Sequence, residues 1–525
     1  MRTGFPLWQD AVVHRRPRAV LGLLTAVFAV VTSLPYWIAH ERAPETARPT
    51  GLALNSFDQY YYVARIRSAA NDLKANRFTS EPDAPGPIAP MYSFVGEVAG
   101  RSPLSEIAAY HAFRVLAAAV LPLTLFTLFR RCFQGRTTVA LIAVGLSLFA
   151  VGIDADQLPE ATILYSAMTQ PHFTLAYLGF TLALVSVVSA WLNGTAFSVV
   201  AAGAAAGLLL GITHTFLLLP VVLVLTVLGV LAIDRAARRL VPWQRPKLLI
   251  ASGISIMLPA VPFVISLRRE LTRFEALQGT PFPATPWDAG SLLRAHGILV
   301  PLFLAGLVLA LWRSRKLDRQ SGVLAVLVLW VALQGILSLA DVLPFQRRFS
   351  EGLIVPVAAI AAVAVVEILH IRIPLARAAA ALVAAILVIG VAGAVSRTAN
   401  SASYIGDGSW QALQQVSASD VVLAGDRLAE LIPAFSDGTV YLGRRVETIR
   451  WRAKNAFRAR VASKPAEPEH LVELERRGIN MVVVDVADPT FPLDPRSAAG
   501  SCLHQAFQFS GVVGFRVACP AIPRG

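Results

Sequence analysis

Charge is scarce in this chain: 15% of its 525 residues are charged, where a soluble domain carries about a quarter. That scarcity excludes an ordinary water-soluble fold of this length. The chain also lacks a Walker motif, a glycine-rich dinucleotide fingerprint, a nucleophile elbow and any zinc-type spacing of Cys and His. Those absences argue against ATP-driven pumps, nucleotide sites and serine hydrolases. Cysteine is nearly missing, with three in all. Cys132 follows Arg130 and Arg131 at the end of an apolar run and reads as cytoplasmic and reduced. Cys502 and Cys519 lie near the C-terminus and can form a disulfide if that region faces an oxidising compartment. The first apolar run, residues 19–39, is too long for a signal peptide and has no clean cleavage site, so it reads as a retained helix. There is no internal repeat and no low-complexity tract.

What the chain has in abundance is apolar sequence, 55% of residues. It falls into blocks of the about twenty residues that cross a hydrocarbon core. Eleven such blocks can be marked, the least certain being the pair 196–212 and 216–233. Arg15, Arg16 and Arg18 precede the first block, and Arg235, Arg238, Arg239, Arg245 and Lys247 fill one interior loop. The positive-inside rule then puts the N-terminus in the cytoplasm and, after an odd number of spans, the C-terminal region outside. A net charge of +14 is read the same way. It does not suggest nucleic acid, because the charges sit between apolar spans. The expected architecture is a polytopic α-helical membrane protein, residues 1–397, with a long first outer loop at 41–105 and a small extracytoplasmic α/β domain at 398–525. In that domain Val421–Ala424, Val440–Leu442, Met481–Val484 and Val512–Val517 read as strands of a partly parallel sheet, with helices near 427–432 and 470–477.

Three groups of residues carry candidate chemistry. The run Asn55 to Arg65, with Tyr60, Tyr61 and Tyr62, reads as the start of an amphipathic helix at the membrane surface, its tyrosines forming an interfacial belt. Asp58 within it is costly there unless it has a task, an ion-pair partner or a cap to make. Arg347 and Arg348, in the outer loop Pro344 to Gly352, run against the positive-inside trend. Guanidiniums bind phosphate in a bidentate way. They therefore suit a lipid phosphate, with ordinary phospholipid headgroups or Glu351 as the plainer partners. Asp154, Asp156 and Glu160 can together hold Mg2+ or Mn2+, contact sugar hydroxyls or simply cap a helix. No other cofactor is suggested. His172, His214, Arg268 and Arg269 stand at span ends where they can join a substrate site or serve structure alone.

Taken together these residues resemble the bacterial integral-membrane glycosyltransferases of the C type (GT-C), which use sugars carried on polyprenyl phosphate. The resemblance rests on Asp58 in the long first outer loop and on Pro90 to Gly96 followed by Tyr110 to Arg114. It rests also on the Gln346-Arg347-Arg348-Phe349 pattern, and on Val440 to Gly443 with Val446 to Thr448. Many members carry an acidic pair in the first loop, whereas here Asp58 is followed by Gln59, so a second acid would come from Asp154 or Asp156. The resemblance implies an inner-membrane enzyme that moves a sugar from a polyprenyl-phosphate donor to an extracytoplasmic glycan, lipid or protein. Asp58 would take the acceptor proton, Arg347 and Arg348 would steady the leaving phosphate, and a single displacement would invert the anomeric centre. Both groups would have to face one pocket. Two rival readings are a flippase for a lipid-linked saccharide, weakened by the few charges within spans and the lack of inverted halves, and a non-catalytic partner in envelope-glycan assembly.

Overall fold

A computed structural model describes residues 17–69, 76–81, 90–192, 194–233, 246–278, 288–313, 319–340, 346–370, 374–445, 447–464, 467–498 and 502–518. The chain divides into two compact units. One holds residues 1–35, 112–265 and 283–400, and the other holds 36–111, 266–282 and 401–525.

The first unit is helical. Each apolar block of the sequence forms a helix or a pair of helices. Among the described residues eight helices are long and apolar enough to cross a membrane. A ninth span is broken: Ala289–His296 and Leu299–Trp312 meet at 87°. Thr137–Phe149 and Ala196–Ile212 are apolar but shorter, which is where the sequence count of eleven exceeds the long spans. The helix Pro171–Trp191 is central, with 89% of its apolar window buried, whereas Arg377–Asn400 buries only 11% and presents its apolar side chains outward. Small residues let helices approach. Gly203, Gly207 and Gly211 recur every fourth residue along Ala196–Ile212, and a Cβ on Gly207 would lie 1.9 Å from the Ile256 carbonyl oxygen. This is the small-residue stripe that membrane helices use for close contact.

The second unit is α/β. Its five-stranded sheet has the order β4-β3-β5-β7-β6, with β3 Val421–Ala424, β4 Thr439–Val440, β5 Met481–Asp485, β6 Leu503–Phe509 and β7 Val512–Val517. β3 is parallel to β4 and β5, and β7 is antiparallel to β5 and β6. The helices Asp426–Phe435 and Pro468–Arg476 fall where the sequence placed them. A separate ribbon pairs β1, Ala47–Ala53, with β2, Ala402–Gly406. The first-loop residues 76–81 run along the edge of the sheet: the Val440 amide donates to Arg77, Gly443 donates to Phe78, and Thr79 bridges Leu442. The long first loop and the C-terminal segment are therefore one packed body. Cys502 is disulfide-bonded, while Cys519 lies outside the described residues. Cys132 is a free, buried thiol.

Candidate functional site

In the first unit the short turn Gln346–Ser350 leads into the helix Ile354–His370. The turn ends at Gly352, whose φ of +87° and contact with the Phe180 ring leave no room for a side chain. Gln334 holds the turn by donating to the Phe349 carbonyl at 2.8 Å. This geometry delivers Arg347 and Arg348 to one carboxylate. Glu160 is fully buried, and its Oε1 lies 2.7 Å from Arg347 Nη2 and 2.8 Å from Arg348 Nη1. Two guanidiniums share one carboxylate oxygen. Tyr177 fixes the Glu160 backbone through a 2.6 Å hydrogen bond to its carbonyl. Arg348 also lies over the Phe173 ring at 4.8 Å. Glu351, the plainer partner suggested for the arginines, bonds to His214 and lies in the field of Arg348. His172 meets His214 edge to face at 4.9 Å. Glu160, His172, His214 and the arginine pair thus form one network.

The acidic trio does not stay together. Asp154 pairs with Arg294 at 2.6 Å and Asp156 with Arg397 at 3.7 Å, while Glu160 takes the arginine pair. Each carboxylate turns to a different cation. The trio does not form a cation cage, and among the described residues no three His, Cys, Asp or Glu side chains stand where they could share a metal. Arg268 and Arg269 are exposed on the helix Pro246–Gln278.

Asp58 belongs to the second unit. It stands in the first turn of the helix Ser56–Ala69. The turn before it holds two non-glycine residues with positive φ, Leu54 at 48° and Asn55 at 45°. Such strain concentrates where a site must be aimed. Gln59 braces the turn by donating to the Leu54 carbonyl at 2.6 Å. The helix is not the surface amphipath expected from sequence. Tyr60 and Tyr61 are buried, because the first loop folds into the unit instead of lying on lipid. Tyr62 stacks on Tyr92 at 4.2 Å and Tyr92 on Tyr110 at 6.2 Å. The segments around residues 60, 92 and 110 singled out in the sequence therefore meet through their rings.

Arg444, which sequence reasoning passed over, is the partner of Asp58. Its Nη2 lies 2.6 Å from Asp58 Oδ1, its Nη1 donates to the Phe57 carbonyl at 2.9 Å, and its Nε is 3.4 Å from Glu447. Asn55 donates to the other Asp58 oxygen. Burial works against the charge on Arg444, but Glu447, Asp58 and Glu430 outweigh it and raise its pKa. Glu430 lies in the field of the same group. Burial chiefly pushes it up to about 7, with Arg444 opposing and Glu447, Asp426 and Asp58 adding to the rise. The signal available in sequence was a further Arg-Arg pair, Arg444-Arg445, directly after the Val440 to Gly443 run.

No family model matches the chain, and no curated protein matches it. Solved structures do. The oligosaccharyltransferase of Archaeoglobus fulgidus in its apo form matches with a TM-score of 0.56 at 14% identity, over 91% of this chain and 70% of that one. The same enzyme tethered to an acceptor peptide matches with a TM-score of 0.50 at 12% identity, over 96% of this chain and 75% of that one. At such identity the likeness is one of fold: the chain shares the fold of this oligosaccharyltransferase.

Proposed function

We propose that the protein transfers a sugar from a polyprenyl-phosphate donor to an acceptor glycan, lipid or protein at the outer face of a bacterial inner membrane. The observation that carries this reading is the convergence of two guanidiniums, Arg347 and Arg348, on Glu160 in a fold shared with a membrane oligosaccharyltransferase. A departing lipid phosphate is an anion, and fixed guanidiniums stabilise its developing charge without reorganising. Asp58 is the proposed base. It is oriented on both oxygens, by Arg444 and by Asn55, and is 29% exposed, so an acceptor hydroxyl can reach it. Attack on the anomeric carbon breaks the bond to the phosphate oxygen, the proton passes to Asp58 and the phosphate leaves as the anion. One displacement inverts the centre. The membrane confines the polyprenyl tail and so raises the donor's effective concentration.

The test uses the full chain in nanodiscs, polyprenyl-phosphate sugars and a panel of acceptors. Asp58→Asn should lower transfer by about 10²–10⁴-fold, and Arg347→Ala should weaken donor use. Transfer unchanged in Asp58→Asn removes the base assignment. Movement of lipid-linked sugar across the bilayer without transfer favours a flippase instead. Measuring transfer with EDTA, then with Mg2+ or Mn2+ restored, tests the cation expectation.

A further inference from the structure

The second unit contains a cavity of about 530 Å³ away from the Asp58 cluster: neither Asp58, Arg444, Glu447 nor Glu430 lines it. Its size lies within the about 300–1,000 Å³ of small-ligand sites. Rings line it, from Tyr36, Trp410 and Phe435, together with the polar ends of Arg67, Glu106 and Gln414. Trp410 is held in place before any ligand arrives. Arg48 covers its ring at 5.4 Å, and Phe435 meets it edge to face at 6.3 Å.

Charge decides the class of ligand. Arg67 lies 3.3 Å from Glu106 and 3.6 Å from Asp437, so the cationic lining group is already answered by carboxylates. Nothing in this balance attracts a phosphate. A guanidinium, a carboxylate and an amide in the lining offer donors and acceptors in planar groups, which vicinal hydroxyls satisfy. The aromatic rings in the same lining suit the apolar C–H faces of a sugar ring. Position adds to this. Tyr36 and His40 belong to the last turns of the candidate span Pro17–Glu41, and Glu106 and Ile107 open the candidate span Glu106–Cys132. The cavity therefore adjoins the ends of two candidate spans.

We infer that this cavity is a binding site for a neutral saccharide, either a free oligosaccharide or the headgroup of a glycolipid. The inference stands apart from the transferase reading, since it requires no reaction. The test uses the full chain in phospholipid nanodiscs, prepared without alkyl-glycoside detergents, whose headgroups carry the same chemistry. Binding is followed by tryptophan fluorescence and calorimetry. The probes are maltose, mannobiose and arabinobiose, then nanodiscs doped with monoglucosyl diacylglycerol, with inorganic phosphate as the anionic control. Saturable binding of a neutral sugar is expected, weakened at least tenfold in Trp410→Ala and Glu106→Gln and unchanged in Gly229→Ala. Gln414 is exposed, so Gln414→Ala should weaken binding without affecting folding. Response to free disaccharides assigns a soluble source, and response only to doped nanodiscs assigns a lipid headgroup. Binding of phosphate alone, binding of no sugar, or sugar binding that survives Trp410→Ala and Gln414→Ala overturns the inference.

Discussion

Removing Glu160 should make the protein less stable and, at the same time, a better binder of lipid phosphate. Glu160 is 0% exposed, and its partners Arg347 and Arg348 are 27% and 20% exposed. Breaking a buried ion pair costs about 3–5 kcal/mol, because the remaining charge is left uncompensated. Here two charges are left, but each is partly open to water, so Glu160→Ala should cost about 3 kcal/mol, at the low end. The same carboxylate competes with any phosphate for these guanidiniums. Its removal should therefore tighten binding of undecaprenyl phosphate by about tenfold, equivalent to about 1.4 kcal/mol. Thermal unfolding in nanodiscs, with and without undecaprenyl phosphate, reads both effects. Added lipid phosphate should restore much of the lost stability, since a ligand that binds only the folded state stabilises it by mass action. A cycle with Arg347→Ala should be non-additive, because the two residues share one contact. A Glu160→Ala protein that melts with wild type, or that loses stability without gaining affinity, refutes the reasoning.

Arg444→Ala leaves Glu447, 6% exposed, facing Asp58 without its cation; a loss of about 3–5 kcal/mol is expected in thermal melts, and Arg444→Lys, which keeps the charge but not the fork, should recover only part of it. Glu430 is raised from 4.5 to about 7, so the folded state keeps a proton that the unfolded state releases between those values, and stability falls as pH rises through that window. At about 1.4 kcal/mol per unit the fall is at most about 3–4 kcal/mol, less for its partial exposure; Glu430→Gln should match wild type near pH 4.5 and melt higher at about pH 8, and identical pH profiles would contradict it. Gly207→Ala puts a Cβ 1.9 Å from a backbone oxygen and should cost about 1–3 kcal/mol, whereas Gly229→Ala, with nothing within 4 Å, should be neutral or slightly stabilising in the same melts.

The helical architecture was legible because it is written locally: a span needs only its own run of apolar residues. The strands at 421–424, 481–485 and 512–517 were legible for the same reason. Side-chain partnership is not local. Asp154, Asp156 and Glu160 are neighbours in sequence, and proximity suggested a shared cation. Their actual partners, Arg294, Arg397 and the Arg347-Arg348 pair, lie 140 to 241 residues further along the chain. Asp58 and Arg444, 386 residues apart, are the same case. The tyrosine run misled for another reason. Tyrosine suits both a membrane interface and a packed core, and only the path of residues 76–81 along the sheet edge decides between them.

That contrast bears on how the chemistry should be pursued. In a chain with so little charge, a buried carboxylate without a counterion would be too costly to keep. The ion pairs around Glu160 and Asp58 are therefore what folding alone already requires, and pairing by itself is no mark of function. What folding does not require is surplus. One carboxylate would be satisfied by one guanidinium, yet Glu160 has two. One guanidinium would be satisfied by one carboxylate, yet Arg444 contacts both Asp58 and Glu447, with Glu430 in its field. The first gathers guanidiniums, as a leaving phosphate needs, and the second gathers carboxylates, as proton removal needs. Variants that neutralise the surplus while keeping one pair intact, Arg347→Gln in the first cluster and Glu447→Gln in the second, therefore separate catalysis from folding more cleanly than deletion of the shared residue.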